Sequence, residues 1–139
     1  MIHVMTMKSI TIICDDKVGL IADISYILGK AKLNIESISV DVVNAKAIIT
    51  LSLTEVEKAK TFLEAAGYPV EQINSIILKL PDQPGELNKI STILSKESIN
   101  IQKVQVLLRD GNQTLLSLST DKPKRASKLL EPYLLNHES

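Results

Sequence analysis

The chain of 139 residues has one cysteine, no tryptophan and few aromatic residues, which make up 3% of the sequence. A single cysteine, Cys14, excludes an intrachain disulfide and any metal cluster built from cysteines. The scarce aromatic side chains leave little for stacking on RNA bases. His3 and His137 have no cysteine or carboxylate at metal-ligand spacing. We therefore predict no metal site and no cofactor.

The chain also lacks an excess of charge of either sign and lacks long apolar runs. Lysine plus arginine and aspartate plus glutamate both number 16, so the formal net charge is zero. A nucleic-acid binder normally shows a basic face, and anionic membranes attract cationic proteins. No apolar run reaches the roughly 18 residues that a transmembrane helix needs. We predict no nucleic-acid partner, no membrane partner and a cytoplasmic location.

One stretch of sequence occurs twice, 66 residues apart. Residues 16–35 and 82–101 share nine identical residues out of twenty, where chance gives about one or two. The period suits a small domain, so we predict two domains, at residues 8–73 and 74–139. Each half alone would bury only a modest core. We therefore expect the halves to pack together or against another chain, as a homodimer or larger oligomer.

Hydrophobic periodicity predicts the same elements in each half. The first half shows strand patterns near residues 10–14, 38–42, 48–53 and 68–73, and the second near residues 76–80, 104–108 and 114–119. The apolar stripes predict a first helix in each half, with Leu20, Ile21, Ile24, Ile27, Leu28 and Ala31 in one and Leu87, Ile90, Ile93 and Leu94 in the other. The fold class predicted is α+β, as two tandem ferredoxin-like βαββαβ units with antiparallel sheets and helices on one face.

Local signals refine the ends of these elements. Thr54 and Glu57 have the spacing of a capping box, which makes Thr54 the predicted N-cap of the second helix. Gly67 is the predicted C-cap, and Asp121 the predicted N-cap of the last helix. The turn at residues 109–112 looks one residue longer than the turn at residues 44–46. Pro132 interrupts the last helical turn, so the last strand of the second unit is predicted to be short or missing.

The repeated residues resemble the ACT domain family. The family motif is a strand, then Asp-x-Pro-Gly-x-Leu, an apolar-striped helix and an Asn flanked by Ile or Val. The second copy matches it with Asp82-Gln83-Pro84-Gly85-Glu86-Leu87 and Ile99-Asn100-Ile101. The first copy has Val18 in place of the proline. The resemblance covers roughly residues 8–135 and implies a stand-alone tandem ACT protein, with no catalytic residues, that regulates amino-acid metabolism by binding an amino acid.

The two Asp-x-x-Gly loops, residues 16–19 and 82–85, are the predicted ligand site. A helix N-terminus presents free N–H groups to a carboxylate, and glycine allows close approach of the ligand to the backbone. Aspartate accepts from an ammonium group, and asparagine both donates and accepts. By this chemistry and the resemblance, the predicted ligand-binding residues, at an interface between ACT units, are Asp16, Val18, Gly19, Leu20, Ile21, Asn34, Ile35, Asp82, Pro84, Gly85, Glu86, Leu87, Asn100 and Ile101.

Two alternatives stay open for these residues. The aspartates can cap a helix or turn, the glycines can serve the turn alone, and the asparagines can hold a left-handed conformation. At the level of function, the alternative is a ligand-free interaction or scaffold module that regulates a partner enzyme. Family members also use a polar residue two positions before the aspartate, and here those positions hold Cys14 and Leu80, which favours that alternative.

Overall fold

The structure is a computed structural model that describes residues 8–71 and 73–135. It divides into two compact units, and the division falls between Asn74 and Ser75. Each unit contains one three-stranded antiparallel sheet and two helices. The predicted fold class is therefore confirmed. His3 and His137 lie outside the described residues.

The first unit consists of β1 (Lys8–Asp15), α1 (Leu20–Lys30), β2 (Ser37–Val43), β3 (Lys46–Leu53) and α2 (Val56–Ala65). The strand order is β1-β3-β2, so β2 forms one edge of the sheet. Because β1 and β2 each pair antiparallel with β3, they run parallel to each other, joined by α1. The N-terminus of α1 therefore lies at the same end of the sheet as the last residues of β1 and β2.

The second unit repeats this plan with β4 (Ile76–Pro81), α3 (Glu86–Lys96), β5 (Ile101–Arg109), β6 (Gln113–Thr120) and α4 (Pro123–Leu129). Its strand order is β4-β6-β5, which makes β5 the edge strand. A short 3₁₀ helix over Glu131–Tyr133 follows α4 and contains Pro132. The helical turn is interrupted there, as predicted.

Within the described residues, the last segment of each unit meets the first strand of that unit in a single bridge. Val70 bridges Ile12 and Leu134 bridges Leu78, both antiparallel. Among the described residues of the strand predicted over 68–73, only Val70 forms a bridge, so a regular strand is not seen there. The short last strand of the second unit is confirmed, and in the part of the chain that the structure describes the first unit has the same single bridge.

A separate hydrophobic core lies between the sheet and the helices in each unit. In the first unit Ile24 and Leu28 of α1 pack with Ala59 and Leu63 of α2 against the sheet. The second core has the matching residues Ile90, Leu94, Ala126 and Leu130. All eight side chains are fully buried. The period-3.6 stripe that predicts the helices is thus the feature that holds each helix on its sheet.

Three helices end in the same backbone motif, in which a left-handed residue is followed by a buried apolar one. The left-handed residues are Lys32, Gly67 and Ser98, with φ of 60°, 95° and 58°. After Gly67 the Tyr68 N–H donates to the Leu63 carbonyl at 3.0 Å, and Leu33 and Ile99 donate likewise to Leu28 and Leu94. This is the Schellman motif. The C-cap of α2 is Ala66, one residue before the predicted Gly67, and Gly67 is the left-handed residue that reverses the chain into the next segment.

The extra residue in the second unit lies in an edge strand and not in the turn. In the first unit Val43 pairs with Lys46, which leaves two turn residues, Asn44 and Ala45. The second turn also has two residues, because the Asp110 N–H donates to the Gln113 carbonyl at 3.1 Å. The register of β5 instead shifts between Val106 and Leu108. The prediction of a longer turn is therefore wrong, and Leu107 is the added residue.

Two predicted N-caps are also wrong. Because β3 continues to Leu53, which pairs with Lys8, Thr54 and Glu55 are needed to turn the chain into α2. Glu55 is the N-cap, and it makes no side-chain capping bond. In the second unit Lys122 is the N-cap of α4, while the carboxylate of Asp121 binds elsewhere, as described below.

Candidate functional site

Each Asp-x-x-Gly loop delivers a helix whose N-terminus has no side-chain cap. Gly19 and Gly85 are the N-cap residues, with φ of 88° and 90°. This left-handed conformation favours glycine, so the turn requires it. Neither Asp16 nor Asp82 uses its carboxylate in a hydrogen bond to any described residue, and both side chains are exposed. The alternative that these aspartates cap the helix is therefore wrong.

The backbone on the strand side of each loop is anchored to the neighbouring turn. The Asp16 N–H donates to the Ala45 carbonyl at 3.0 Å, and the Asp82 N–H donates to the Asn112 carbonyl at 2.9 Å. In the first unit Lys46 also forms an ion pair with Asp15. The hydrogen bond and charge of Lys46 lower the pKa of the Asp15 carboxyl. In each loop the backbone next to the strand is therefore held by a hydrogen bond, while the aspartate side chain is exposed.

Apolar side chains in and after the loops lie on the surface. Val18 is fully exposed, and Ile21 and Leu87 are 46% and 42% exposed. The expectation that Ile21 and Leu87 belong to the buried stripes is therefore wrong. Leu20, in contrast, is buried in the first core. Its counterpart Glu86 begins α3, and the exposed residue Pro84 takes the place of Val18.

The two asparagines lie at the other end of the first helix in each unit. Neither is left-handed, because the left-handed residues there are Lys32 and Ser98. The Asn100 N–H donates to Asp121 Oδ1 at 2.9 Å, and Asn100 Nδ2 donates to Asp121 Oδ2 at 3.3 Å. The side chain of Asn34 is exposed and makes no hydrogen bond within residues 8–71 and 73–135. Ile35 and Ile101 are partly buried against the two cores.

The structure therefore separates the predicted site residues of each unit into two groups. Asp16, Val18, Gly19, Leu20 and Ile21 surround the N-terminus of α1, whereas Asn34 and Ile35 follow its C-terminus. The 11 residues of α1 span about 16 Å at 1.5 Å per residue. The second unit repeats this separation, because α3 also has 11 residues. A free amino acid is too short to bridge both groups within one unit.

One polar contact near the first loop has no clear signal in the sequence. The Tyr68 hydroxyl donates to the Asp23 carboxylate in the first turn of α1. Tyr68 is 8% exposed. Burial and the bond to Asp23 raise the pKa of Tyr68 to about 12. Because 45 residues separate the pair in the sequence, they meet only in the folded unit, where α1 and α2 share one core.

The other candidate groups are less suited to a ligand site. Cys14 is partly buried against the first core, and desolvation raises the pKa of its thiol. A shallow cleft in the second unit is lined by Arg125, Lys128, Leu129, Glu131 and Pro132, none of which is a predicted site residue. Within the described ranges no three His, Cys, Asp or Glu side chains are placed to hold a metal ion. No helix there is long and apolar enough to cross a membrane.

The repeated loop, the split βαβ topology and the duplicated core agree with one known family. A family model described as an ACT domain pair matches residues 5–137. The chain belongs to the ACT domain family. The family predicted from the Asp-x-x-Gly motif is thereby confirmed, and each unit is one ACT domain. A comparison with curated proteins gives no match.

Several solved structures are similar to this ACT pair over most of its length. A protein from Bacteroides thetaiotaomicron is 19% identical, with 92% of this chain and 88% of that chain covered and a TM-score of 0.47. The regulatory subunit of aspartate kinase from Thermus thermophilus, ligand free, is 13% identical, with 92% and 93% covered and a TM-score of 0.47. The corresponding subunit from Thermus flavus is 14% identical, with 92% of both chains covered and a TM-score of 0.47.

Proposed function

We propose that this ACT pair is a non-catalytic regulatory protein that binds an amino acid, or a similar small effector, at its Asp-x-x-Gly loops and at an interface between ACT units. We take the domains as residues 8–73 and 74–139. The observation that carries the proposal is that the carboxylates of Asp16 and Asp82 are exposed and without a hydrogen-bond partner among described residues, beside uncapped helix N-termini.

The loop chemistry matches the two ends of an amino acid. The N–H groups of the first helical turn and the helix dipole stabilise a carboxylate. The carboxylate of Asp16 accepts hydrogen bonds from an ammonium group. Val18 and Ile21, both exposed, offer apolar contact to a side chain. Binding would order these residues and change how ACT units associate, and a partner enzyme of amino-acid metabolism would respond to that change.

A second ACT unit supplies the missing half of the site. The edge strand β2 ends near the Asp16 loop and begins near Asn34. If β2 pairs antiparallel with β2 of a second copy, the loop of one copy lies beside Asn34 of the other. A homodimer of this kind would complete the ligand site twice. Size-exclusion chromatography with light scattering measures whether the chain is a dimer.

The test is a thermal-shift screen of the full chain against the twenty amino acids. A ligand that binds only the folded state raises the melting temperature. We expect at least one amino acid to do so. If none does, and the protein is folded, the proposal is wrong and the ligand-free module that regulates a partner enzyme takes its place.

A further inference from the structure

The two ACT units have the same fold, but their site asparagines have different partners. The Asn34 side chain is exposed and makes no hydrogen bond to any described residue. Asn100, at the matching position, donates to the Asp121 carboxylate through both its backbone and its side chain. The Asp121 N–H donates back to the Asn100 carbonyl at 3.1 Å. An amide held in this way has lost a donor that a ligand would need.

The difference arises from one position in the sequence. Asp121 lies 67 residues after Thr54, which is its counterpart behind the central strand. Thr54 carries a hydroxyl and no carboxylate, and it makes no side-chain hydrogen bond within the described ranges. Asp121 supplies two acceptor oxygens and holds the Asn100 backbone and side chain together. The second unit thus contains an internal partner for its asparagine, and the first does not.

The edge strands differ as well. β2 is regular over its seven residues and contains no lysine, arginine or proline. Over the residues that match β2, β5 has a register shift between Val106 and Leu108 and contains Lys103 and Arg109. Bulges and basic residues on an edge strand oppose pairing with a further strand. The edge that completes the site is therefore open in the first unit and obstructed in the second.

From these two differences we infer that only the first ACT unit binds the amino acid, so the chain carries one ligand site and not two. The second unit keeps the fold and has lost the site, because Asp121 holds the asparagine that a ligand would need and the edge strand β5 is irregular. This inference rests on the proposed function, since it specifies which repeat performs it.

The test compares matched variants of the full chain, each screened against the twenty amino acids. Asn34→Ala and Asp16→Ala should abolish the thermal shift or weaken binding about 10-fold or more, since each removes a hydrogen bond to a charged ligand group. Asn100→Ala and Asp82→Ala should leave the shift intact. Asn34→Ala should not change the melting temperature of the free protein, whereas Asn100→Ala should lower it, because it loses a contact with Asp121. The shift is therefore measured against each variant without ligand.

A second measurement needs no variant. Isothermal titration of the wild-type chain, with whichever of the twenty amino acids gives the largest shift, should return one site per chain. Two sites per chain, or loss of binding in Asn100→Ala or Asp82→Ala, would overturn the inference and leave the proposed function standing. A folded protein that responds to none of the twenty amino acids would overturn both.

Discussion

At the scale of single residues, Gly19 shows how the loop depends on backbone conformation. Its φ is 88°, and a Cβ added there would meet no atom within 4 Å. Any cost of a side chain at this position is therefore a backbone cost and not a steric clash with a neighbour. The same holds for Gly85, so the two loops are built by the same rule.

Gly19→Ala should destabilise the protein by about 1–2 kcal/mol, because the left-handed conformation is unfavourable for residues with a Cβ. Urea unfolding followed by circular dichroism measures the change in the free energy of unfolding. Gly29→Ala is the matched control, since Gly29 lies within α1, has no left-handed φ and has open space around its Cβ. That variant should stabilise by about 0.5–1 kcal/mol. Equal effects at the two positions would contradict the prediction.

Tyr68 ties the segment after α2 to the start of α1, so its titration should affect stability. Its folded pKa of about 12 lies above the ordinary value of 10.0. A group whose pKa is raised by folding stabilises the protein fully below its unfolded pKa and loses that effect as pH rises through its folded pKa. The contribution of Tyr68 should therefore be complete below about pH 10 and lost between about pH 10 and pH 12.

Tyr68→Phe should cost about 1.5–3 kcal/mol at neutral pH, the usual value of one hydrogen bond to a charged group. The difference between wild type and variant should shrink above about pH 10. Urea unfolding at pH 8 to pH 12 measures both effects. Tyr26→Phe is the control, because Tyr26 is exposed on α1 with Lys30 near its ring. If Tyr26→Phe behaves like Tyr68→Phe, the hydrogen bond to Asp23 is not responsible.

At the scale of elements, two helices are followed by residues that are not the most favourable ones for a left-handed backbone. Of the three residues that follow a helix in the left-handed conformation, only Gly67 is a glycine. Lys32 and Ser98 adopt it with a Cβ. The buried residue that follows each of them, Leu33 or Ile99, indicates that core packing imposes the conformation.

Lys32→Gly should therefore stabilise the protein by about 0.5–1 kcal/mol, because relief of the left-handed strain exceeds the added entropy of the unfolded chain. Chemical denaturation measures the gain. Lys30→Gly, two residues earlier and still in α1, should destabilise by about 1 kcal/mol. Stabilisation by both glycines would show that loss of the lysine charge, and not the backbone, is responsible.

The helices and strands were predictable where the hydrophobic pattern extends over many residues, and their end residues were less predictable. The repeat and the stripes through Ile24 and Ile90 give both helices and their cores. The bulge at Leu107 was not predictable, because the Asp-Gly turn signal nearby also accounts for one extra residue. The capping pattern at Thr54 failed because pairing of Leu53 with Lys8 decides where β3 ends. Pairing between distant strands overrides such local signals.

At the scale of the whole molecule, each unit holds its own core and its own closing segment. In the first unit the Glu71 N–H donates to the Thr11 carbonyl at 2.8 Å, and the Asn74 N–H donates to the Ser9 carbonyl at 3.0 Å. The Ser9 N–H donates in return to Asn74 Oδ1 at 3.2 Å. For the candidate site, the sequence predicts an aspartate before the first helix of each unit and an asparagine after it. The exposure of the Asp16 side chain and the hydrogen bond from Asn100 to Asp121 are seen only in the structure, because both depend on which distant segments meet.

A fragment of residues 1–74 should fold cooperatively, because its core is self-contained. A fragment of residues 1–69 keeps Tyr68 but loses the segment that binds β1. It should be less stable by roughly 2–3 kcal/mol, about 1 kcal/mol for each hydrogen bond to Ser9 or Thr11. Thermal melts followed by circular dichroism compare the two fragments. Equal melting temperatures would show that the closing segment does not stabilise the sheet.

The position of Leu107 also indicates where the two ACT units came to differ in length after duplication. The insertion lies in β5, which pairs with a strand on one side only. It therefore disturbs the hydrogen bonds of a single strand pair. The other change in length falls after α4, where Val70 and Leu134 are 64 residues apart although the residues they bridge, Ile12 and Leu78, are 66 apart. Neither change lies in the central strands β3 and β6, where an inserted residue would disturb the pairing with both neighbouring strands. Natural selection has therefore tolerated length variation at the margins of the sheet, and homologous chains should differ in length at these same two places.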